Sequence, residues 1–167
     1  MSTMPPVFSP DSRKIFYILQ DYEKRKSISF VSDTRTGEVK KSRTYDSIGG
    51  VIFSPDGLWF AYAAGKEGKQ FVVVSDFAGA EKEGIAYDSV GQIAFSLDAK
   101  HIAYIAGKQG KRFLVISNRE MSKHKEGPPY ERLWEPRFSP DGKFVLYGAQ
   151  SGKEIWWKVE GVEQNNQ

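Results

Sequence analysis

The stretch Val51–Asp76, "VIFSPDGLWFAYAAGKEGKQFVVVSD", returns almost unchanged at Ile93–Asn118 as "IAFSLDAKHIAYIAGKQGKRFLVISN". Weaker copies begin near Val7 and Arg137. The Phe-Ser pairs of the four copies are 45, 42 and 43 residues apart and begin at Phe8, Phe53, Phe95 and Phe138. A fixed period of roughly 20 to 50 residues is typical of an array whose units bury their faces against each other. The sequence therefore predicts four repeated units.

Each unit opens with a short apolar run that ends in a tight turn. In the second and fourth units this turn is Ser-Pro-Asp-Gly, at Ser54–Gly57 and Ser139–Gly142. Pro fixes φ, Asp bonds to nearby backbone and Gly accepts a positive φ, so the pattern predicts a strand, a turn and a second strand. Ser12 replaces the glycine in the first unit, and Leu97 and Ala99 replace Pro and Gly in the third. We expect these two turns to be strained or differently shaped.

The strand after the turn is apolar on both faces, which requires a sheet that is covered on both sides. It reads "KIFYIL", "WFAYAA", "HIAYIA" and "FVLYGA" in the four units. The tips "GKEG" at Gly65–Gly68 and "GKQG" at Gly107–Gly110 then lead into a third strand, as in a hairpin. A polar stretch after the third strand predicts an outer strand that runs into the next unit. Two tyrosine columns follow this pattern, with Tyr17, Tyr62, Tyr104 and Tyr147 in the second strand and Tyr45, Tyr87 and Tyr130 in the outer strand.

Four short antiparallel strands in each unit, without a long amphipathic helix, are the pattern of a β-propeller blade. The "FSPDG" turn, the "xIAY" strand and the "FVVVSD" strand resemble the WD40-like β-propeller repeat of the TolB type, over almost the whole chain. The resemblance implies an all-β propeller with four-stranded blades around a central axis. We expect one domain over residues 1–167, with repeat units at about 7–50, 51–92, 93–135 and 136–167. The resemblance implies no particular function, because such blades occur in translocation proteins and in propeller domains of serine peptidases.

The last unit ends early. Nothing in "EIWWKVEGVEQNNQ" resembles an outer strand, and too few residues precede Phe8 to supply one. Lys158 aligns with Val31, Val74 and Ile116, which indicates a solvent-facing edge. Three arrangements stay open: a closed four-bladed ring whose last blade lacks its outer strand, one half of an eight-bladed homodimer, and a piece of a longer polypeptide.

An open arc of four blades would expose apolar side chains at both ends. Association with a second copy covers them, and the adjacent Trp156 and Trp157 in the terminal strand suit such a contact. The alternative interpretation of this pair is ordinary core and edge packing.

Composition and charge restrict the surroundings of the protein only weakly. The net charge of +3 is spread along the chain, which argues against nucleic acid as a partner. The absence of cysteine removes disulfides, thiol catalysis and Cys-based zinc sites. The longest apolar runs are far shorter than a membrane span of roughly 20 residues, so we expect no membrane insertion. The TolB-like resemblance implies the periplasm, whereas the lack of an export signal in this chain favours the cytoplasm.

No residue pattern predicts catalysis, a cofactor or a metal site, and we expect a chain that is not an enzyme. His101 and His124 lack metal-ligand spacing, which favours packing or solvated roles. A Gly-x-Ser-x-Gly elbow is absent, and the Gly-Lys tips lack the spacing and the helix of a phosphate loop. Turn and loop positions explain the Asp and Asn residues that recur in the units. These residues are Asp11, Asp56, Asp98 and Asp141 in the turns, and Asp33, Asp76 and Asn118 after the third strands.

The hairpin tips between the second and third strands are the most basic feature. The predicted strand order puts them at one end of the propeller, where an acidic protein surface or a polyanion could dock. Lysine at exposed hairpin tips more often serves solubility alone, and no aromatic platform for single-stranded nucleic acid interleaves these residues. The candidate interaction residues are Lys24, Arg25, Lys26, Lys66, Lys69, Lys108, Lys111 and Arg112 at the tips, and Trp134, Trp156 and Trp157 in the last unit.

The sequence favours a non-enzymatic scaffold for protein–protein interaction or self-assembly, because rigid blades present variable loops and the repeat carries no reactive group of residues. The expected partners are proteins, among them a second copy that completes a larger propeller. Two alternatives stay open: a propeller that binds a small molecule or ion in its axial channel, and one that binds a polyanion through its basic tips.

Overall fold

The computed structural model describes residues 5–163, which form fifteen β-strands and no helix. Most strands have seven or eight residues, and the shorter ones lie at the start of the chain or at the outer side of a sheet. The strands are β1 (Val7–Phe8), β2 (Lys14–Asp21), β3 (Lys26–Asp33), β4 (Val39–Tyr45), β5 (Ser47–Phe53), β6 (Trp59–Lys66), β7 (Lys69–Asp76), β8 (Glu81–Glu83), β9 (Ser89–Phe95), β10 (His101–Lys108), β11 (Lys111–Asn118), β12 (His124–Glu126), β13 (Arg132–Phe138), β14 (Phe144–Ser151) and β15 (Glu154–Gly161).

The strands form four antiparallel sheets in chain order. We call them blade 1 (β1–β4), blade 2 (β5–β8), blade 3 (β9–β12) and blade 4 (β13–β15), and we letter the strands of each blade a to d from the inside outward. This architecture confirms the predicted all-β propeller with four blades and a three-stranded last blade. The a strands begin at Ser47, Ser89 and Arg132, shortly before the unit starts expected at 51, 93 and 136. Each a strand thus follows the outer tyrosine of the preceding blade almost directly.

One Ser and one Asp hold each turn between strands a and b. In blade 2 the Ser54 hydroxyl donates to Asp56 Oδ1 at 2.5 Å, and the same carboxylate accepts the amide of Leu58 at 3.0 Å. Ser54 Oγ accepts the amide of Trp59 at 2.9 Å. In blades 1, 3 and 4, the serine hydroxyl and the backbone amide at the equivalent positions hold the pKa of the turn carboxyl below its ordinary value. The turn role predicted for the recurring aspartates is confirmed. The equivalent pairs are Ser9 with Asp11, Ser96 with Asp98, and Ser139 with Asp141.

The a–b turns keep one shape in all four blades. Ser12 and Ala99 have φ values of 59° and 55°, close to the 68° and 71° of Gly57 and Gly142. An L-residue in this left-handed region costs about 1–2 kcal/mol. The turns of blades 1 and 3 are therefore strained rather than differently shaped.

The hairpins predicted between strands b and c of blades 2 and 3 are confirmed, and the structure shows that a two-residue turn closes each of them. Glu67 and Gly68 have φ values of 53° and 76°, and Gln109 and Gly110 have 51° and 75°. Positive φ at both central residues is the type I′ geometry, whose twist matches that of the flanking strands. The glycine at the second position makes this geometry accessible.

The apolar core lies between successive blades. Phe16 and Val31 of blade 1 pack in one cluster with Tyr62 and Val73 of blade 2. Two further clusters join blade 2 to blade 3 and blade 3 to blade 4. The b and c strands of blades 2 and 3 are buried on both faces, as their apolar sequences predict.

The described residues form an open arc of four blades. The three core clusters each join neighbouring blades, and apolar residues on the outward faces of blades 1 and 4 are exposed. Residues 5–163 therefore do not form the closed four-bladed ring that the sequence allowed.

The strand register corrects one predicted alignment in blade 4. Ile116 pairs with Ala103, the residue before the column tyrosine of blade 3. In blade 4 the residue before the column tyrosine is Leu146, and it pairs with Val159. Lys158 instead pairs with Tyr147, a member of that column. Aligning Lys158 with Ile116 was wrong by one position, because "EIWWKV" lacks the alternation that fixes a register. An apolar residue occupies this position in the last strand.

Candidate interaction surfaces

Carboxylates already neutralise part of the basic b–c tips. Lys26 is paired with Asp46, and Lys69 Nζ lies 2.6 Å from Asp88 Oδ1. The lysine beside each carboxyl holds its pKa below the ordinary value. Lys24 lies 3.8 Å from an aspartate of its own loop, and Arg112 donates to a serine hydroxyl at 2.9 Å. Within residues 5–163, the tip residues outside any ion pair are Arg25, Lys66, Lys108, Lys111 and Arg112.

The carboxylates that bind the tips also join neighbouring blades. Asp46 follows the outer tyrosine of blade 1, and its Oδ2 accepts the amide of Glu67 in the b–c tip of blade 2 at 2.8 Å. Sequence reasoning missed this role, although the recurrence of "YDS", "YDS" and "YER" was a visible signal. The equivalent contacts are Asp88 with the Gln109 amide at 2.9 Å and Glu131 with the Gly152 amide at 3.0 Å.

The two tyrosine columns meet between blades. The outer Tyr45 of blade 1 and Tyr62 of blade 2 pack edge to face, with ring centroids 6.2 Å apart. Tyr45 donates its hydroxyl to Glu83 at 3.0 Å, and Tyr62 donates to Glu81 at 2.7 Å. Burial, assisted by these carboxylates, raises the pKa of both tyrosines well above the ordinary value. The equivalent pairs are Tyr87 with Tyr104 and Tyr130 with Tyr147, both at 6.4 Å.

The N-terminal face of blade 1 is apolar, and no other blade formed by residues 5–163 covers it. Tyr17 and Phe30 stack on it, with ring centroids 5.3 Å apart. The equivalent residues of blade 2, Tyr62 and Val73, are fully buried against blade 1. This face therefore carries the kinds of side chain that are buried between blades elsewhere, but no neighbouring blade of the described residues packs on it. We define it by Phe8, Ile15, Tyr17, Leu19, Ile28 and Phe30.

The C-terminal face of blade 4 is also apolar, and no blade in the described part of the chain covers it. Trp157 is 70% exposed, Val159 61% and Leu146 41%. The residues at the same register positions of blade 3 are buried against blade 4. They are Leu114, Ile116 and Ala103. We define the face by Phe144, Leu146, Ile155, Trp157 and Val159.

The three candidate tryptophans lie in different environments. Trp157 belongs to the exposed C-terminal face. Trp156 lies on the other side of β15 and packs against the cluster between blades 3 and 4, with Lys158 Nζ 5.2 Å from its ring. Trp134 is half-buried and covers Gly148, where an added Cβ would lie 3.0 Å from the indole. Only Trp157 is largely free for a contact with another molecule.

The two histidines line one cleft of 640 Å³ beside blades 3 and 4. His101 and His124 reach it because β10, β11 and β12 are consecutive strands of one sheet. Asn118, also in the lining, accepts the amide of Lys123 at 2.9 Å, which confirms its predicted loop role. Lys125 is paired with a glutamate of blade 4 at 3.4 Å. Spacing along the sequence did not show that the histidines converge.

A second groove, of 400 Å³, lies on the a strands of blades 3 and 4. Its lining includes Gln92, Arg112, Arg132 and Trp134. Since the a strands are innermost, this groove lies where the axial-channel hypothesis requires a ligand.

No group of three or more His, Asp or Glu side chains in residues 5–163 is arranged to hold a metal ion. The same part of the chain contains no helix that is long and apolar enough to cross a membrane.

No protein-family model matches the sequence, and no curated protein matches it. Solved structures do match the fold. The tricorn protease has a TM-score of 0.67 at 15% identity over 83% of this chain and 14% of that chain. The propeller domain of the Trilobed protease from Pyrococcus furiosus, which has an open velcro topology, has a TM-score of 0.67 at 13% identity over 94% and 53%. A protein assigned as TolB from Agrobacterium tumefaciens has a TM-score of 0.66 at 16% identity over 98% and 62%.

This chain spans less than two thirds of the length of each of these proteins. At such low identities the likeness shows the fold alone. The arc of four antiparallel sheets is a partial β-propeller of the kind found in TolB-like proteins and in propeller domains of proteases.

Proposed function

We propose that this chain is a non-enzymatic β-propeller scaffold that works through protein–protein contacts, and that its first partner is a second copy of itself. One observation carries the proposal. Positions that are buried in the internal blade interfaces are uncovered on the N-terminal face of blade 1 and on the C-terminal face of blade 4. Exposed apolar patches of this kind mark protein-binding surfaces.

The two faces are the two halves of one type of interface. Within the chain, the C-terminal face of each blade packs on the N-terminal face of the next, as Leu114 and Ile116 of blade 3 do against blade 4. Trp157 and Val159 occupy the corresponding positions of blade 4, and Tyr17 offers the corresponding surface on blade 1. Head-to-tail contact between copies repeats the internal arrangement, which favours a second copy over an unrelated partner.

Two such arcs can close under two-fold symmetry. Joining both pairs of faces gives a ring of eight blades, within the usual propeller range of roughly four to eight. Closure covers all four apolar faces and leaves the turns and hairpin tips as the outer surface. An open chain of copies would leave two faces exposed to water.

The uses of the recurring polar residues support a non-enzymatic role. The Ser and Asp of each a–b turn bond to each other and to backbone amides. The carboxylates after the outer tyrosines bind the amides of hairpin tips. The most regular polar features of the sequence are therefore engaged in holding turns and joining blades.

The mass of the protein in solution tests the proposal. We expect light scattering at micromolar concentration to give twice the 18.9 kDa of one chain. Leu146→Glu puts an unpaired charge into the contact, which is strongly unfavourable, so the mass should return to that of one chain. Leu58→Glu is the matched control, because Leu58 is 62% exposed in an a–b turn outside both faces. A wild-type mass of 18.9 kDa contradicts the proposal.

A second candidate function is the binding of a small planar anion in the groove on the a strands. Arg112, Arg132 and Trp134 line this groove, and guanidinium groups and an indole ring suit a flat, negatively charged ligand. A thermal-shift screen with nucleotides and aromatic carboxylates should then raise the melting temperature. Arg132→Gln should abolish the shift. A flat screen contradicts this candidate and leaves the scaffold proposal unaffected.

A further inference from the structure

Strand c of blade 4 has an edge that no strand of the described residues occupies. In blade 2 the corresponding edge of β7 is covered: Gln70 and Tyr87 exchange backbone hydrogen bonds of 2.9 and 2.8 Å. The amide of Gly84 also donates to the carbonyl of Val72 at 2.8 Å. Blade 3 repeats both contacts, between Arg112 and Tyr130 and between Gly127 and Leu114.

The register of blade 4 identifies the uncovered backbone. Ile155, Trp157 and Val159 lie where the covered residues of blade 2 lie. Among residues 5–163, no strand therefore satisfies in β15 the backbone groups that strand d satisfies in blades 2 and 3, and such an edge is a template for an added strand. The equivalent residues of blade 2 are Gln70, Val72 and Val74.

The outer strands of blades 2 and 3 show which sequence fits such an edge. Both contain Lys-Glu-Gly-x-x-Tyr, at residues 82–87 and 125–130. The Glu accepts the hydroxyl of the outer tyrosine of the preceding blade, at 3.0 Å for Glu83 and 2.6 Å for Glu126. A Cβ added to Gly84 or Gly127 would lie 3.4 Å from the carbonyl oxygen of strand c, so this position favours glycine.

Tyr130 is the outer tyrosine that faces blade 4, and it occupies the position from which Tyr45 and Tyr87 donate to a glutamate. Its ring lies 6.4 Å from that of Tyr147, as the ring of Tyr87 does from that of Tyr104. Tyr45 and Tyr87 are buried and bonded to a glutamate, whereas Tyr130 is half-buried. Among residues 5–163, no carboxylate accepts its hydroxyl.

We propose that the open edge of β15, together with Tyr130, binds an extended acidic segment of another polypeptide with the pattern Glu-Gly-x-x-aromatic. The segment adds a fourth strand to blade 4. Its Glu accepts the Tyr130 hydroxyl, its Gly passes the carbonyl of Trp157, and its aromatic residue exchanges backbone bonds with Ile155. This site goes beyond the proposed self-association, because it uses the edge of blade 4 and not its C-terminal face.

A second copy of the chain is a poor source of this segment. Its Lys-Glu-Gly strands are β8 and β12 with the residues that follow them, and both are already paired in their own blades. A copy could donate one only by opening that blade and uncovering the same edge there. A segment that is extended and unpaired in a different polypeptide carries no such cost.

A synthetic peptide with the sequence of residues 80–88, "AEKEGIAYD", tests the proposal. The protein should carry Leu19→Glu, which blocks the N-terminal face of blade 1 and leaves blade 4 unchanged, so that failure of self-association and failure of peptide binding stay distinguishable. Saturating peptide should slow amide hydrogen exchange at Ile155 and Val159 by at least about tenfold, because both amides become paired. A scrambled peptide should have no effect.

A double-mutant cycle tests the carboxylate contact. Replacing the peptide residue that corresponds to Glu83 by Gln should weaken binding by about tenfold, as expected for loss of a charged hydrogen-bond acceptor. Tyr130→Phe in the protein should weaken the parent peptide similarly, and the two changes together should cost no more than either alone. Unchanged exchange with the parent peptide, equal binding of the scrambled peptide, or amides already protected without peptide overturns the proposal.

Discussion

Raising the pH above 10 should unfold this propeller steeply, because five tyrosines that join or line its blades are held in their neutral form. They are at most 3% exposed. Burial, and next the nearby glutamates, raises the pKa of each above the ordinary value of 10.0. The five are Tyr45, Tyr62, Tyr87, Tyr104 and Tyr147.

The direction of the effect follows from linkage. In the unfolded chain these tyrosines ionise near pH 10, whereas in the folded protein they stay protonated. Stability is therefore fully present below pH 10 and is lost as the pH rises from there towards the folded-state values. Each tyrosine removes about 1.4 kcal/mol per pH unit, so five remove about 7 kcal/mol per unit. Against a typical unfolding free energy of about 5–15 kcal/mol, unfolding should be complete within about two pH units above 10.

The assay is a pH titration that follows tyrosinate absorbance and far-ultraviolet circular dichroism together. We expect the absorbance of the buried tyrosines to appear only with loss of the strand signal. Tyr104→Phe removes one of the five groups, so it should lower the alkaline slope of the unfolding free energy by about 1.4 kcal/mol per pH unit. Full tyrosinate absorbance near pH 10 with an intact strand signal would refute the reasoning.

Three further predictions follow from single features of the fold. Ser12→Gly should stabilise the protein by about 0.5–1 kcal/mol in thermal unfolding, because Ser12 has a φ of 59° that glycine adopts freely; an unchanged or lower stability contradicts the strain in this turn. Trp157→Ser should weaken self-association by at least about 2 kcal/mol in sedimentation equilibrium without lowering the unfolding free energy of the single chain, since the side chain is mostly exposed. Because Asp46 and Asp88 already bind two tip lysines, we expect no retention of the protein on heparin at physiological salt. Retention that Lys66→Glu abolishes would contradict this expectation and support polyanion binding at the tips.

The sequence alone determined the repeat, the four blades and the local geometry of each blade. Period, turn residues and hairpin glycines act over a few residues, so they can be interpreted without knowing what lies opposite. The apolar character of both faces of the b strand also predicted a buried sheet. At Ser12 and Ala99 the sequence left open whether the turn is strained or has a different shape. The tertiary structure imposes the same turn there in spite of its steric cost.

Only the tertiary structure decided which residues meet across blades. The Tyr45–Glu83 hydrogen bond and the convergence of His101 and His124 join residues that are far apart in sequence, and no local pattern encodes them. The position of Val159 rather than Lys158 on the uncovered face depended on a register that only pairing with β14 fixes, because a shift of one residue moves every side chain to the other face of a strand. The open edge beside Tyr130 likewise depends on strand order and on the register of β15, which only the tertiary structure fixes.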